Sequence, residues 1–209
     1  MAAHNNLTRL VDLAREPSSE KRRELLREMT DLFMAGPESY SEKENNQFGQ
    51  ILGTVAREME MEVRQNLAAR LANVPNAPRS LIVQLASDEI SVAGPVLARS
   101  KVLQDHDLIA VAKLKSQDHL HAIAGRDQVS SAVSDALVER GDDKVLVRLV
   151  SNAGAKLSEQ AMETLTDKAQ TVESLRRPMV TRSDVPPHLL NEMFFAVSAE
   201  LKRVIMNRM

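Results

Sequence analysis

The sequence has no cysteine and no tryptophan, and its aromatic residues are one tyrosine and four phenylalanines. The absence of cysteine excludes disulfides, thiol nucleophiles and cysteine-ligated metal sites, and it fits a reducing compartment. With so few aromatic side chains, a core must consist of Leu, Val, Ile, Ala and Met, which suits close packing of helices. No run of 18 consecutive apolar residues occurs, and the N-terminus has no basic segment followed by an apolar run. We therefore predict a soluble cytoplasmic protein without membrane association.

The charged residues nearly balance. The chain of 209 residues is 43% hydrophobic and 27% charged, with a net charge of −2. That hydrophobic content is enough for one sizeable domain or an extended repeat stack, and it excludes a disordered chain. The near-neutral charge gives no global positive field, which argues against a nucleic-acid-binding protein. Residues 64–101 carry five basic and two acidic residues, which is only a local bias.

Four polar residues recur at almost constant spacing, and each one closes a short apolar run of helical character. The intervals between them are 29, 27 and 26 residues, counted along Arg70, Arg99, Arg126 and Asn152. A period of this size is typical of proteins in which each repeat is a helical pair that buries its apolar face against its neighbours. We therefore predict an all-α fold with about four stacked two-helix repeats.

The segment before the repeats is predicted to form three helices. Residues 7–14 have apolar side chains at helical spacing, and a second helix ends at the Gly-Pro pair at 36–37. Ser41 and Glu44 form a capping box that begins the third helix. We assign residues 1–61 to an N-terminal helical bundle that packs on the repeats as part of one continuous folding unit.

The repeats should have a second helix after each marker residue. The repeat region is predicted to span 62–170, with second helices at 78–87, from Asp105, at 129–140 and after a cap at Ser158. Residues 171–209 are predicted to be a connector and one long helix, over about 188–206. That helix would cap the open end of the stack.

The marker residues are predicted to hold adjacent repeats together, because an unpaired arginine at the end of a buried helix is costly. An aspartate follows each arginine by 16 to 19 residues, at the start of the next repeat's first helix, where a carboxylate also caps free amides. We predict bridges from guanidinium to carboxylate along a stacking ladder of Arg70, Asp88, Arg99, Asp118, Arg126, Asp142 and Asn152. The alternative is that the arginines line a concave face and bind phosphate or an acidic partner.

The densest polar cluster, residues 117–121, does not have the spacing of a metal site. His119 and His121 lie about 200° apart on a helix, so they cannot ligate one metal from one face. An enzyme assembled from His106, His119, His121 and Asp118 is a further alternative, although no spacing requires it. The sequence also lacks a Gly-x-Ser-x-Gly motif and a glycine-rich phosphate loop. We therefore predict no enzymatic activity, no metal and no cofactor.

Five short motifs occur in a fixed order between Leu67 and Pro186. They are Leu85-Ala86-x-Asp88, Val92-Ala93-x-Pro95-Val96-Leu97, Ala122-Ile123-Ala124-x-Arg126, Asn152-x-Gly154-Ala155 and Arg182-x-Asp184-x-Pro186. In this order they resemble a family of uncharacterised alphaproteobacterial proteins built from HEAT-like helical repeats. The resemblance implies a HEAT-like α-solenoid in an intracellular, regulatory setting, and it implies no catalytic residue.

We interpret the protein as a non-enzymatic protein–protein interaction module, an adaptor or regulator in bacterial intracellular signalling. Phe194 and Phe195, which we place on the last helix, are the best exposed anchors that the few aromatic residues offer. The candidate partner-binding residues are Phe194, Phe195, Arg99, Arg126 and His119. The partner would be another protein, or a second copy bound through the C-terminal helix. The alternative function is nucleotide or nucleic-acid binding through the arginine series, against which the lack of stacking aromatics argues.

Overall fold

The computed structural model describes residues 19–36 and 40–207, and it confirms the all-α class. Within these residues the only extended pairing is one isolated bridge between Val129 and Ala155, and none of the helices has both the length and the apolar character needed to cross a bilayer. The helix predicted at residues 7–14 lies outside the described residues. The helices are α1 (Ser19–Met34), α2 (Glu42–Arg57), α3 (Met61–Leu71), α4 (Arg79–Ala86), α5 (Ile90–Arg99), α6 (Asp105–Leu114), α7 (Gln117–Ala124), α8 (Ser131–Arg140), α9 (Asp143–Ser151), α10 (Glu159–Thr171), α11 (Glu173–Thr181), α12 (Pro187–Met193) and α13 (Ala199–Met206).

Short polar side chains begin several of the helices, because they satisfy amides that have no partner within the helix. The Ser41 hydroxyl accepts from the Glu44 amide, and the Glu44 carboxylate accepts from the Ser41 amide at 2.9 Å, so the predicted capping box is confirmed. Ser158 caps α10 by accepting from the Ala161 amide at 3.0 Å, also as predicted. Three further caps begin α8, α9 and α13, at Ser130, Asp142 and Ser198.

The helices divide into two compact units, one ending at Gln104 and the other beginning at Asp105. This division lies inside the region 62–170 that we predicted as one repeat array, and it does not coincide with the boundaries expected after residues 61 and 170. A sequence period shows that similar residues recur along the chain. It does not show where the contacts between the helices are fewest, so the division could not be read from the spacing.

The first unit contains α1–α5 and most of the aromatic side chains. α1 packs on α2, α2 packs on α4, and α3 packs on α5. The rings of Phe33, Tyr40 and Phe48 form a cluster with centroids 4.8 to 5.6 Å apart, in which Phe33 and Phe48 are fully buried. Burial is also the main cause that raises the pKa of the Tyr40 hydroxyl, which donates to the Leu32 carbonyl at 3.0 Å.

The second unit consists of two rows of helices, which we call the odd row (α7, α9, α11 and α13) and the even row (α6, α8, α10 and α12). Each helix contacts the next one of its own row, and contacts also cross between the rows. The Asp142 amide, just before α9, donates at 2.9 Å to Gln117 at the start of α7. Asn152, just after α9, donates at 2.9 Å to the Ala124 carbonyl at the end of α7. Neighbours in a row are therefore parallel, with start beside start and end beside end.

The C-terminal segment differs from the prediction in two respects. A helix, α11, forms where we expected a connector, and the single helix predicted over 188–206 is two helices separated by a turn at 194–198. Ser198 begins the second of them by accepting from the Leu201 amide. The apolar stripe that suggested one helix consists of Leu189, Met193, Val197, Leu201 and Val204. The first four are buried and Val204 is half-buried, so the stripe continues through the turn and the spacing alone gave no sign of the break.

Candidate functional site

In the first unit, the structure pairs the predicted ladder residues differently. The Asp88 carboxylate accepts two hydrogen bonds from Arg64, at 2.6 Å from Nε and 3.0 Å from Nη2. This bidentate bond raises the pKa of the Arg64 guanidinium. Arg70 instead donates to Asp31 of α1. The predicted bridge from Arg70 to Asp88 is thus corrected: the bidentate geometry is present, but the arginine six residues earlier makes it.

The direction of the helices explains this change of partner. Asp88 precedes α5, and Arg64 lies in the first turn of α3, the helix on which α5 packs. Their contact places the two helix starts side by side. Arg70 lies near the other end of α3, six residues or about 9 Å along the helix axis. To reach Asp88, the Arg70 side chain would therefore have to extend along most of α3.

A ladder does join the helix ends of the odd row, but its acceptors are backbone carbonyls. Asn152, after α9, donates from Nδ2 to the carbonyls of Ala124 at 2.9 Å and Arg126 at 2.7 Å, around the end of α7. Arg182, after α11, donates in the same way to carbonyls around the end of α9. Its acceptors are the carbonyls of Val150 at 3.1 Å, Asn152 at 2.9 Å and Ala155.

These contacts satisfy carbonyls that a helix leaves without a partner at its C-terminus, where the helix dipole also favours a positive charge. The even row has the same device, since Arg140 at the end of α8 donates to the carbonyls of Ala112 at 2.6 Å and Lys115 at 3.4 Å, at the end of α6. Our sequence reasoning missed Arg182 as a ladder residue. It follows Asn152 by 30 residues, so one further interval of the period would have found it.

Arg126 and Asp142, the third predicted pair, lie at opposite ends of their helices. Arg126 is half-buried just after α7, and burial lowers the pKa of its guanidinium, while the carboxylates of Asp127 and Asp105 act in the opposite direction. Asp142 caps α9 by accepting from the Val145 amide at 2.9 Å, in the capping role expected of these aspartates. A pairing of Arg126 with Asp142 stays a prediction.

Two other candidates for partner binding differ in exposure. Arg99, the last residue of α5, is exposed, with Nε 3.5 Å from the Pro95 carbonyl. Its pairing with Asp118 stays a prediction. His119 is only 5% exposed, and its Nδ1 lies 2.8 Å from the Ser116 hydroxyl. We therefore correct its assignment to a partner-binding surface, because it lies on the inner side of α7.

The polar residues considered for catalysis do not form a metal-binding group. His106 and His121 are exposed, and His106 Nε2 lies 3.3 Å from the Asp107 carboxylate. Across residues 19–36 and 40–207, no three His, Asp or Glu side chains are grouped so that they could hold a metal ion.

The two adjacent phenylalanines form an exposed feature, which we call the Phe195 knob (Phe194, Phe195 and Lys202). They lie in the turn after α12, and not on a helix as we expected. Phe195 is 88% exposed. The half-buried Phe194 ring packs edge-on against Phe195 with centroids 5.5 Å apart, and the Lys202 ammonium lies 5.2 Å from the Phe194 centroid. The Phe195 ring is thus a large exposed apolar surface that contacts the Phe194 ring beside it.

A depression of about 550 Å³ between α7 and α9 forms a second surface feature, which we call the basic groove. Its lining includes the side chains of His121, Lys144 and Arg148, and its wall includes Gly125. A Cβ atom at Gly125 would lie 2.2 Å from Nη2 of Arg148, so the guanidinium rests directly on the glycine. We did not identify Lys144 and Arg148 from the sequence. Their spacing of four residues, which places both on one face of a helix, was the available signal.

Most of these features lie in a part of the chain that matches a protein family. The model of a family described as an uncharacterised protein conserved in bacteria (DUF2336) matches residues 92–209, more than half of the chain. The chain belongs to this family. No curated protein and no solved structure matches the chain.

The DUF2336 match begins inside α5 and includes the whole second unit. The basic groove, the Phe195 knob and the carbonyl contacts of Asn152 and Arg182 therefore belong to the family's domain. The ion pairs of Arg64 and Arg70 lie before it. Because the family is uncharacterised, it assigns no role to any of these residues.

Proposed function

We propose that this DUF2336 protein is a non-enzymatic module that binds another protein in the cytoplasm, as an adaptor or regulator in bacterial signalling. We also propose that its helical pairs stack as a HEAT-like solenoid. Contacts between next-but-one helices support the stacking, because helical pairs that bury their apolar sides against each other make such contacts. A stack of this kind has a preformed surface, so little ordering entropy is lost when a partner binds.

The exposed ring of Phe195 is the observation that carries this proposal. At 88% exposure it is the most exposed of the large hydrophobic side chains that the structure describes. Burying a phenylalanine side chain fully contributes about 1.5–3 kcal/mol, and interface hot spots are often aromatic. Its contact with Phe194 restricts the ring, so that a partner need not pay the whole cost of ordering it.

Photo-crosslinking in bacterial cells that produce the chain naturally tests the proposal. A photoreactive phenylalanine analogue replaces Phe195 and keeps the aromatic ring, and mass spectrometry identifies the adducts. Leu114, which is 80% exposed on α6, receives the same analogue as the matched control. We expect one stoichiometric protein adduct from position 195 that is absent from position 114. A chain without the photoreactive analogue that carries Phe195→Ser should compete poorly for that partner. Its helical circular dichroism should be the same as that of the wild type.

The outcomes separate the forms of the proposal. An adduct with a different protein supports the adaptor role. An adduct with a second copy of this chain supports a homodimer formed through the C-terminal helices. Equal adducts from positions 195 and 114, or no adduct above background from position 195, would overturn the assignment of the knob as the binding surface.

A further inference from the structure

We propose that the basic groove binds an acidic peptide segment of a partner protein. This assignment rests on the proposed function, to which it adds a second site of defined chemistry apart from the Phe195 knob. In it, the positive side chains of Lys144 and Arg148 contact carboxylates of the segment, and His121 lies at the α7 edge of the groove.

Arg148 is positioned while its hydrogen-bond donors stay available. Its guanidinium rests on Gly125, where a Cβ atom would lie 2.2 Å from Nη2 and 2.3 Å from Nε. Within residues 19–36 and 40–207, neither Arg148 nor Lys144 has a side-chain hydrogen bond or an ion pair. A guanidinium held in this way can bind a carboxylate through two parallel N–H bonds and loses less rotamer entropy than a free one.

A second depression follows the groove along the odd row. This depression, of about 540 Å³, lies between α9 and α11, and Ser151 lines both depressions. The charged residues that line the second depression are Arg177, which pairs with Glu200 at 2.8 Å, and Arg182 and Asp184, which pair with each other at 2.6 Å. The exposed acidic residues of the odd-row helices all lie in the first turns of their helices, and none of them lines the basic groove: Asp118, Asp143, Glu173 and Glu200.

The even row has the opposite character. It exposes acidic side chains along the length of α8 and α10, at Asp135, Glu139, Glu159, Glu163 and Asp167. An acidic segment is therefore attracted to one row and repelled by the other. This separation of charge should steer an acidic segment toward the groove as well as add to its affinity there.

The size and lining of the two depressions favour a peptide. Neighbouring helix axes lie about 8–10 Å apart, so a path from α7 across α9 to α11 is about 20 Å long. An extended chain of about six residues covers that distance. No aromatic side chain of the described residues lines either depression, whereas single-stranded nucleic acids bind largely by stacking bases on aromatic rings.

Fluorescence anisotropy with the purified full chain tests the assignment. The probe is a fluorescein-labelled peptide with six consecutive glutamates, and a peptide with six glutamines is its neutral counterpart. We expect saturable binding of the glutamate peptide and a loss of about tenfold or more in Arg148→Glu. Lys113→Glu makes the same change of charge at an exposed position of α6 in the even row, and it should alter the affinity by less than about twofold.

A second variant changes the position of Arg148 without changing any charge. In Gly125→Ala, the new Cβ occupies the place where the guanidinium rests, so Arg148 must move away. Gly125 has φ −92°, which alanine adopts readily, so the fold should be retained. We expect an unchanged melting temperature and an affinity about threefold or more weaker, because a displaced donor pair loses its bidentate geometry.

Three results would overturn the assignment: no saturable binding of the glutamate peptide, equal losses in Arg148→Glu and Lys113→Glu, or tighter binding of a thymidine hexamer than of the peptide. The photo-crosslinking from position 195 does not use this peptide. An adduct from position 195 without peptide binding would therefore refute the groove and leave the knob. Peptide binding without an adduct from position 195 would refute the knob and leave the groove.

Discussion

Arginines make different contacts in the two units. Those that join helices in the first unit pair with carboxylates, as in Arg23–Glu60, Arg64–Asp88 and Arg70–Asp31. In the second unit, Arg140 and Arg182 donate to backbone carbonyls at helix ends, although Arg182 also pairs with Asp184 and the exposed Arg177 pairs with Glu200. The arginine–carboxylate pairs of the first unit lie mostly at the surface, whereas the Arg182 side chain is only 7% exposed.

The difference separates two ways of fixing one helix beside another. A surface ion pair contributes little to the free energy of unfolding and is screened by salt, even where it shifts the pKa of one of the paired groups. The hydrogen bond from Arg23 lowers the pKa of the Glu60 carboxyl, for example, yet about half of each side chain remains exposed. A donor buried against helix-end carbonyls replaces water at groups that need a partner. We therefore expect the DUF2336 part of the chain to be stabilised by contacts that salt hardly affects.

Removal of Arg182 should have the largest effect on stability. Arg182→Ala leaves three carbonyls around the end of α9 without their donor, and it leaves Asp184 without a cation that lies 2.6 Å away. We expect the free energy of unfolding to fall by about 3 kcal/mol, as when a buried charged contact loses one partner. Urea unfolding followed by circular dichroism measures it. The control Arg177→Ala, at a 69% exposed side chain, should cost less than about 0.5 kcal/mol.

Asn152→Ala tests the neutral contact of the same ladder. The substitution removes two hydrogen bonds to helix-end carbonyls and the one that Oδ1 accepts from the Gly154 amide at 2.9 Å. We expect a loss of about 2 kcal/mol in the free energy of unfolding. Because the side chain is uncharged, the loss should be the same in about 0.1 M and about 1 M NaCl. A loss that disappears at high salt would contradict the distinction between the units.

Arg64→Ala provides the matching experiment in the first unit. The variant loses the bidentate contact with Asp88 and a hydrogen bond to the Met59 carbonyl at 2.6 Å, at side chains that are 19% and 18% exposed. We expect the free energy of unfolding to fall by about 1.5 kcal/mol in dilute buffer, and by less in about 1 M NaCl. Salt titration of the wild type and variant in parallel gives the difference. If the loss in the free energy of unfolding depended on salt no more in Arg64→Ala than in Asn152→Ala, the contrast between the two units would be wrong.

Two buried threonines sharpen the comparison with effects of opposite sign. Thr30 in the first unit donates to the Leu26 carbonyl at 2.6 Å, whereas the hydroxyl of Thr166 in the second finds no partner in the described part of the chain. Thr30→Val should therefore destabilise by about 1 kcal/mol, and Thr166→Val should stabilise by up to about 1 kcal/mol. Melting temperatures of the two variants check the signs. Destabilisation by both would show that Thr166 has an unrecognised partner.

The parts of the fold that depend on neighbouring residues could be predicted from the sequence. The caps at Ser41 and Ser158 are examples, because a hydroxyl and an amide three residues later meet in almost any helix start. The positions of Arg126 and Asn152 just past helix ends could also be predicted from the periodic apolar runs.

Partners of the ladder residues could not be predicted, because they depend on helix direction. Parallel neighbours bring helix ends together, so Asn152 meets carbonyls of the preceding helix, and backbone carbonyls carry no sequence signal. The basic groove was missed for a similar reason. Gly125 and Arg148 are 23 residues apart, and only the packing of α7 on α9 brings them into contact.

The opposite charges of the two rows affect how the purified protein should behave in solution. The net charge of −2 is a small sum, and it hides an electric dipole across the second unit. Dipolar molecules attract one another when the positive side of one faces the negative side of the next, and ions weaken this attraction beyond a screening length of about 10 Å at 0.1 M salt. Solubility should therefore rise as salt is added from very low ionic strength, unlike that of a protein with the same net charge spread evenly.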